Sequence, residues 1–305
     1  MDPALIIRSA AVWLLHMAAR LRSRRPTQRV RSASMSSQLP ADRNSPTAAL
    51  AATLGLFAVW TFATWFLEGR IETLLRPEAL FNRAIYAILA NLLIGVVIAI
   101  VVVRFLIRRS HLARAAAGFG SATPSAMRLT IALGLGVALY AWRGAASLDP
   151  IVLTNAFSQV LVVSAAEVAV CWAVVGASVE ALLKPRGRAI SITGAALVAS
   201  TLFGIYHFAH SAPFNTVGMV ALLTGVGLVT SAFFFMARDV YATILFHNFL
   251  GMFGVMQALV ASGRLDAFAT LQPPLLIMAL ATVTVLALSD RILLRGKRRD
   301  RACPR

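Results

Sequence analysis

Charge is scarce in this chain, and acid is scarcer still: 13% of its 305 residues are charged, with 12 Asp and Glu against 29 Lys and Arg. With 59% of residues hydrophobic and a mean hydropathy of +0.77, so little charge excludes an ordinary soluble domain and indicates a polytopic membrane protein. Cysteine is almost missing. Cys171 lies inside an apolar run and Cys303 near the end, and without paired spacing neither a disulfide framework nor a thiolate metal site is expected. Cys303-Pro304-Arg305 is one residue too short for a C-terminal lipidation signal. No His-Glu-x-x-His occurs, which removes the usual helical signature of a zinc protease. The formal charge of +17 would suggest nucleic acid in a soluble protein. Here the arginines gather in the N-terminal arm, in alternate connections and in the tail, so membrane lipids are the expected electrostatic partner and nucleic acid is not.

What is present is a series of apolar runs. Ala4 to Leu21 is interrupted by Arg8 and His16 and reads as an interfacial helix. Arg22 to Pro46 is rich in Arg, Ser and Pro and reads as a disordered basic arm, so residues 1–46 stand apart from the membrane domain. No cleavable signal peptide is expected, because the basic stretch follows the first apolar segment; Met35 is an alternative start. Between residues 47 and 294 eight runs are each long enough to cross a bilayer: 47–67, 80–107, 125–146, 151–183, 189–211, 214–236, 240–261 and 272–294. The fold class expected is therefore an all-α, polytopic membrane helical bundle of about eight transmembrane helices, followed by a basic tail over 295–305. Arg-rich connections follow the second, fourth, sixth and eighth runs. The first connection instead balances Arg70 and Arg76 with Glu68, Glu72 and Glu78, which puts both termini in the cytoplasm of a protein integral to the plasma (inner) membrane.

The informative residues are ionisable groups where lipid should be: Glu167 and Glu180 in the fourth run, His207 and His210 in the fifth, and His247, beside Asn248, in the seventh. Glu180 lies close to Lys184 and Arg186 and reads as an interfacial carboxylate paired with a cation. His210 precedes Ser211-Ala212-Pro213, where the fifth helix is expected to end, and reads as peripheral. Glu167 has no cation within a turn. At 1.5 Å per residue it lies about 24 Å in from Leu183 and His207 about 28 Å in from Arg188, levels that agree. His247 lies only about 12 Å from Asp239 by the same rise, so the turn between the sixth and seventh runs must be sunk into the bundle or the helices tilted.

The order of Glu167, then Phe203-Gly204-Ile205-Tyr206-His207, then His247 on a later helix resembles the type II CAAX prenyl endopeptidase family, also called CPBP or Abi intramembrane proteases. The likeness spans about 150–255. That family carries E-E-x-x-x-R, F-x-x-x-H and H-x-x-x-N or H-x-x-x-D motifs on a bundle of eight helices. The second motif is intact here. In the first, Glu167 read as the first Glu, the register preferred here, leaves Val168 for the second Glu and Cys171 or Trp172 at the Arg, whereas Glu167 read as the second Glu leaves the first position without one; in the third, Gly251 stands for Asn or Asp, while Asn248 lies about 100° around the helix.

The resemblance implies a CAAX prenyl protease 2-like fold and an intramembrane endopeptidase, a hydrolase acting on a membrane-embedded or lipid-anchored protein. Glu167 would activate a water with His207, and His247, with Asn248, would donate to the oxyanion. No cofactor is required; zinc on a His₂Glu set is the alternative. The substituted motif positions leave open a rival reading, a catalytically impaired relative acting as a scaffold, immunity or maturation factor. The runs show no inverted repeat of the kind transporters carry.

Overall fold

The computed structural model describes residues 46–120, 125–142 and 144–295. The interfacial helix and basic arm expected before residue 46, and the tail beyond 295, lie outside the described residues. Regular structure among the described residues is helical throughout, apart from one isolated antiparallel bridge between Phe119 and Asp239. Among the described residues eight helices are long and apolar enough to cross a membrane: α1 (Ala48–Gly69), α2 (Leu80–Arg108), α3 (Ser125–Trp142), α4 (Pro150–Arg186), α5 (Arg188–Ala209), α6 (Val217–Ala237), α7 (Val240–Ala261) and α8 (Pro273–Leu294). The eight runs read from the sequence are these eight, and their apolar faces make this an integral membrane protein.

Where boundaries differ from the sequence reading, capping explains the difference. α4 begins at Pro150, whose fixed φ suits the first helical position, and the Asp149 carboxylate accepts hydrogen bonds from the amides of Ile151 (2.7 Å) and Val152 (3.3 Å). α6 starts at Val217, three residues later than the run, because the Thr216 hydroxyl accepts from Met219 N–H. α4 is the axis of the bundle: 89% of its apolar window is buried, against 17% for α3 at the periphery. α5 and α6 pack closely. A Cβ on Gly204 would lie 1.9 Å from Thr224 Oγ1, and one on Gly227 would lie 3.0 Å from Ser200 Cα, so glycine is what lets these backbones approach.

Polar ties close both ends of the bundle. At one end the α6–α7 turn is covered by the connection after α2: Leu112, Ala117 and Phe119 are buried, Val240 N–H donates to the Gly118 carbonyl at 3.0 Å, and Asp239 is buried with Ser125 Oγ donating to it at 2.6 Å. The turn is therefore sunk beneath a loop, which removes the depth mismatch at His247. Glu180 has a cation, as expected, but not a sequence neighbour: Arg238 in the same turn grips it with both guanidinium nitrogens. At the other end, buried Arg83 donates to the carbonyls of Thr73 and Arg76 and to Gln159, and Asn155 donates to the carbonyls of Phe268 and Thr270. These bonds fold two connections down over the helix ends.

Candidate functional site

α4 puts Glu167 at the centre of the bundle, 5% exposed. His247 on α7 reaches it across the interior, with Nε2 3.0 Å from Oε2. The other ring nitrogen, Nδ1, lies 2.8 Å from Thr230 Oγ1 on α6. That hydroxyl also lies 3.1 Å from the Val226 carbonyl. Its single proton serves only one of these acceptors: given to Val226, the hydroxyl accepts from Nδ1–H, and given to Nδ1 it leaves Nε2–H to donate to Glu167. His207 comes from the last turn of α5. Its Nδ1 is 2.8 Å from the Phe203 carbonyl, and because a carbonyl only accepts, Nδ1 carries the proton. In the neutral ring Nε2 is then a lone pair, 3.6 Å from Glu167 Oε1. Two acceptors thus converge, an arrangement that a water lying beside the pair and donating to both would satisfy.

The aromatic residues of the second motif support this arrangement. Phe203 stands edge-on to both imidazoles, 4.7 Å from the His207 ring and 5.1 Å from the His247 ring. Trp172 lies against His247 and donates through Nε1 to Ser231 Oγ at 2.7 Å. Tyr206 stacks on Trp60 at 3.8 Å and meets Thr64 Oγ1 at 3.1 Å, which ties the His207 turn to α1.

Two sequence expectations meet a different geometry. Asn248 is fully buried, but both ends of its amide go to α4: Ser164 Oγ donates to Oδ1 at 3.3 Å, and Nδ2 donates to the Phe157 carbonyl at 3.2 Å. Asn248 joins α7 to α4 and does not stand in for an amide at Gly251. At Gly251 a Cβ would lie 2.8 Å from Val160 Cγ1, so α7 sits too close to α4 there for a larger side chain. Val168, Cys171 and Trp172, at the remaining altered positions, are fully buried in the apolar core, which leaves no charge there to be balanced.

His210 is not peripheral. It is 3% exposed, its ring lies 5.1 Å from that of His207, and it lines the same cavity. Its Nδ1 is 3.1 Å from Oε2 of Glu68, within ion-pair distance, and neither ring nitrogen makes a hydrogen bond among the described residues. Glu68, which the sequence reading assigned to a balanced loop, is fully buried on the last turn of α1. Ser211 secures its carboxylate, with the amide donating at 2.9 Å and the hydroxyl at 2.6 Å. Arg70 lies instead over the rings of Trp65 and Phe66. A signal for Glu68 was present: no Lys or Arg stands three or four residues from it on either side, and Arg70, two residues on, is off its face.

One donor atom each from Glu167, His207 and His210 lies within 4.8 Å of the other two, a His₂Glu set by type. That spread exceeds the roughly 3.3 Å between ligands on a tetrahedral ion with bonds near 2.0–2.1 Å. Glu167, His207, His210 and His247 line a cavity of about 1030 Å³ whose remaining lining is mostly apolar, with Gln159 and Gln257 among it. α3 and α6 both sit on α7 and do not pack along one another, and the cavity between them reaches Leu135, Trp142 and Met236 on the outer surface. Comparison of the chain with protein-family models, with curated proteins and with solved structures returned no match.

Proposed function

We propose that this chain is an intramembrane endopeptidase of the CPBP type, which hydrolyses a peptide bond of a membrane-embedded or lipid-anchored protein. The observation that carries the reading is the acceptor pair, Glu167 Oε1 and His207 Nε2, 3.6 Å apart in the lining of a mostly apolar cavity that reaches the bundle's outer surface. A water donating to both is oriented with its oxygen lone pairs free, and Glu167 takes its proton as that oxygen attacks the scissile carbonyl carbon. His247 first holds the Glu167 carboxylate through Oε2. Once Glu167 is protonated Oε2 is a weaker acceptor, and His247 turns an N–H to the oxyanion. The apolar cavity favours a substrate whose flanking segment is itself lipid-soluble, and membrane lipids are the other partner. Water activation needs no metal in this scheme. The even number of apolar helices among the described residues and the Arg-rich connections on alternate sides support a cytoplasmic location for both ends of the bundle, in the plasma (inner) membrane.

The test is cleavage in proteoliposomes of a reporter with one transmembrane segment, product ends being read by mass spectrometry. Wild type is expected to cut, and Glu167→Ala and His207→Ala are not; cutting by both variants would overturn the assignment. A second reading, a non-catalytic scaffold, immunity or maturation factor, is favoured by one observation: Val168 and Gly251 occupy motif positions with apolar packing and close helix contact. Complementation of a deletion strain separates the two, because a scaffold is fully rescued by Glu167→Gln and a protease is not.

A further inference from the structure

We infer that Glu68 and His210 form a second catalytic dyad, in which His210 is the general acid that protonates the leaving amine and Glu68 is its positioning carboxylate. The inference rests on the hydrolase reading above and adds to it a residue pair from α1 and the α5–α6 connection.

The case begins with Glu68. A fully buried carboxylate in a membrane protein calls for a cation, and among the described residues the only basic group paired with it is the His210 imidazole. The two hydrogen bonds from Ser211 fix the direction of the carboxylate, so Oε2 is aimed at Nδ1 of the neighbouring residue. The ring is thereby held with Nδ1 towards a carboxylate. Nδ1 meets that carboxylate as an ion-pair contact and not as a hydrogen bond, while Nε2 is buried, has no hydrogen-bond partner among the described residues, and belongs to a residue that lines the cavity. An imidazole backed by a carboxylate through one nitrogen and open at the other is the arrangement that orients an acid–base histidine and stabilises its protonated form. Packing alone does not ask for it, since a buried polar nitrogen left unpaired is costly.

The position also suits the chemistry. Glu167 and His207 hold the water, and one donor atom of His210 lies within 4.8 Å of one on each of them, so a single tetrahedral carbon can have its attacking oxygen at the first pair and its departing nitrogen at His210. The step balances as follows. Water oxygen bonds to the carbonyl carbon and its proton passes to Glu167. The C–N bond then breaks as the Nε2 proton of His210 passes to the amine nitrogen, and Glu68 stays a carboxylate facing Nδ1. The proton on Glu167 returns to His210, directly or through a water, and the products are a carboxylic acid and an amine.

Leaving-group dependence tests this in a way that a structural role for His210 does not imitate. The probes are an internally quenched, acyl-anchored peptide library and the same library with each scissile amide replaced by an ester, whose alkoxide leaves without full protonation; both are presented to the full chain in proteoliposomes. His210→Ala is expected to lower kcat on the amides by about 100-fold or more, and on the esters by less than about 3-fold, whereas Glu167→Gln removes both. Glu68→Gln is expected to give the same amide-selective loss at smaller size, and Glu68→Asp to restore part of it, which keeps the test open should His210→Ala fail to fold. Equal losses on amide and ester, or no loss on either, overturn the dyad while leaving the hydrolase standing. A wild type that cuts neither library overturns the hydrolase reading and the dyad with it.

Discussion

Two carboxylate–imidazole pairs flank His207, and they are held by different means. Glu167 and His247 belong to the interiors of α4 and α7; apolar packing around Trp172 and Phe203 sets their separation, and Thr230 on a third helix fixes the imidazole. Glu68 and His210 sit at helix ends, where one carboxylate is bonded by the amide and hydroxyl of a connection residue, Ser211. The interior pair is a product of helix packing, so its geometry is as stiff as the core. The rim pair depends on the path of the chain after α5, where local rearrangement costs less than in the core. In the proposed scheme the rigid pair is the one that meets the water, and the pair on the connection is the more adjustable of the two.

Breaking the interior pair is expected to have the largest effect. Glu167→Gln keeps the shape of the side chain and removes the base, and cleavage of the transmembrane reporter is expected to fall by about 10²- to 10⁴-fold. Circular dichroism and membrane insertion should be unchanged. The next effect in size comes from adding a charge to the same half. Val168→Glu places a carboxylate among fully buried apolar neighbours with no cation nearby, and is expected to destabilise the protein by about 3–5 kcal/mol. Thermal unfolding in detergent measures this. A stable Val168→Glu protein would show that the interior half is wetter than its packing implies.

These two halves were unequally legible. Glu167, His207 and His247 stood out because an ionisable residue in the middle of a twenty-residue apolar run has few structural explanations; the depths of Glu167 and His207 agreed along their helices, and that of His247 did not. The eight spans were legible for the same reason, since bilayer thickness sets a length that composition fills. Glu68 was hidden because it lies at the end of a run, two residues from Arg70, where charge balance offered an ordinary account. Its burial follows from the α5–α6 connection folding over it, a tertiary event with no local signature. His210 was discounted on the same ground, as a residue just past a helix end. Asn248 looked functional because it stands beside His247, and its contacts with Ser164 and Phe157 give it a helix-joining role that the sequence did not signal.

That distinction gives the third prediction. Asn248→Ala removes two interhelical bonds and should cost about 1 kcal/mol of stability, the usual size of such bonds in membranes, measured by the same unfolding. Its kcat on the reporter should stay within about twofold of wild type, because the chemistry it would otherwise join contributes at least about 10²-fold. A loss as large as that of Glu167→Gln would return Asn248 to the site.

The smallest effect expected is none. Glu167 and His207 from the interior half and His210 from the rim half are a His₂Glu set by type, so an ion held among them would join the halves into one centre. In the scheme proposed here they stay separate: Oε1 of Glu167 and Nε2 of His207 hold a water, and Nδ1 of His210 faces Glu68. Dialysis of the purified protein against EDTA is then expected to leave cleavage within about twofold of the untreated rate, since the water's proton goes to a carboxylate and not to a metal-bound hydroxide. Loss of activity on dialysis, restored by about one equivalent of zinc, would merge the two halves and make Glu167 a ligand in place of a base. Zinc content measured alongside activity separates that outcome from slow unfolding in the chelator, because an unfolded chain does not recover when the metal returns.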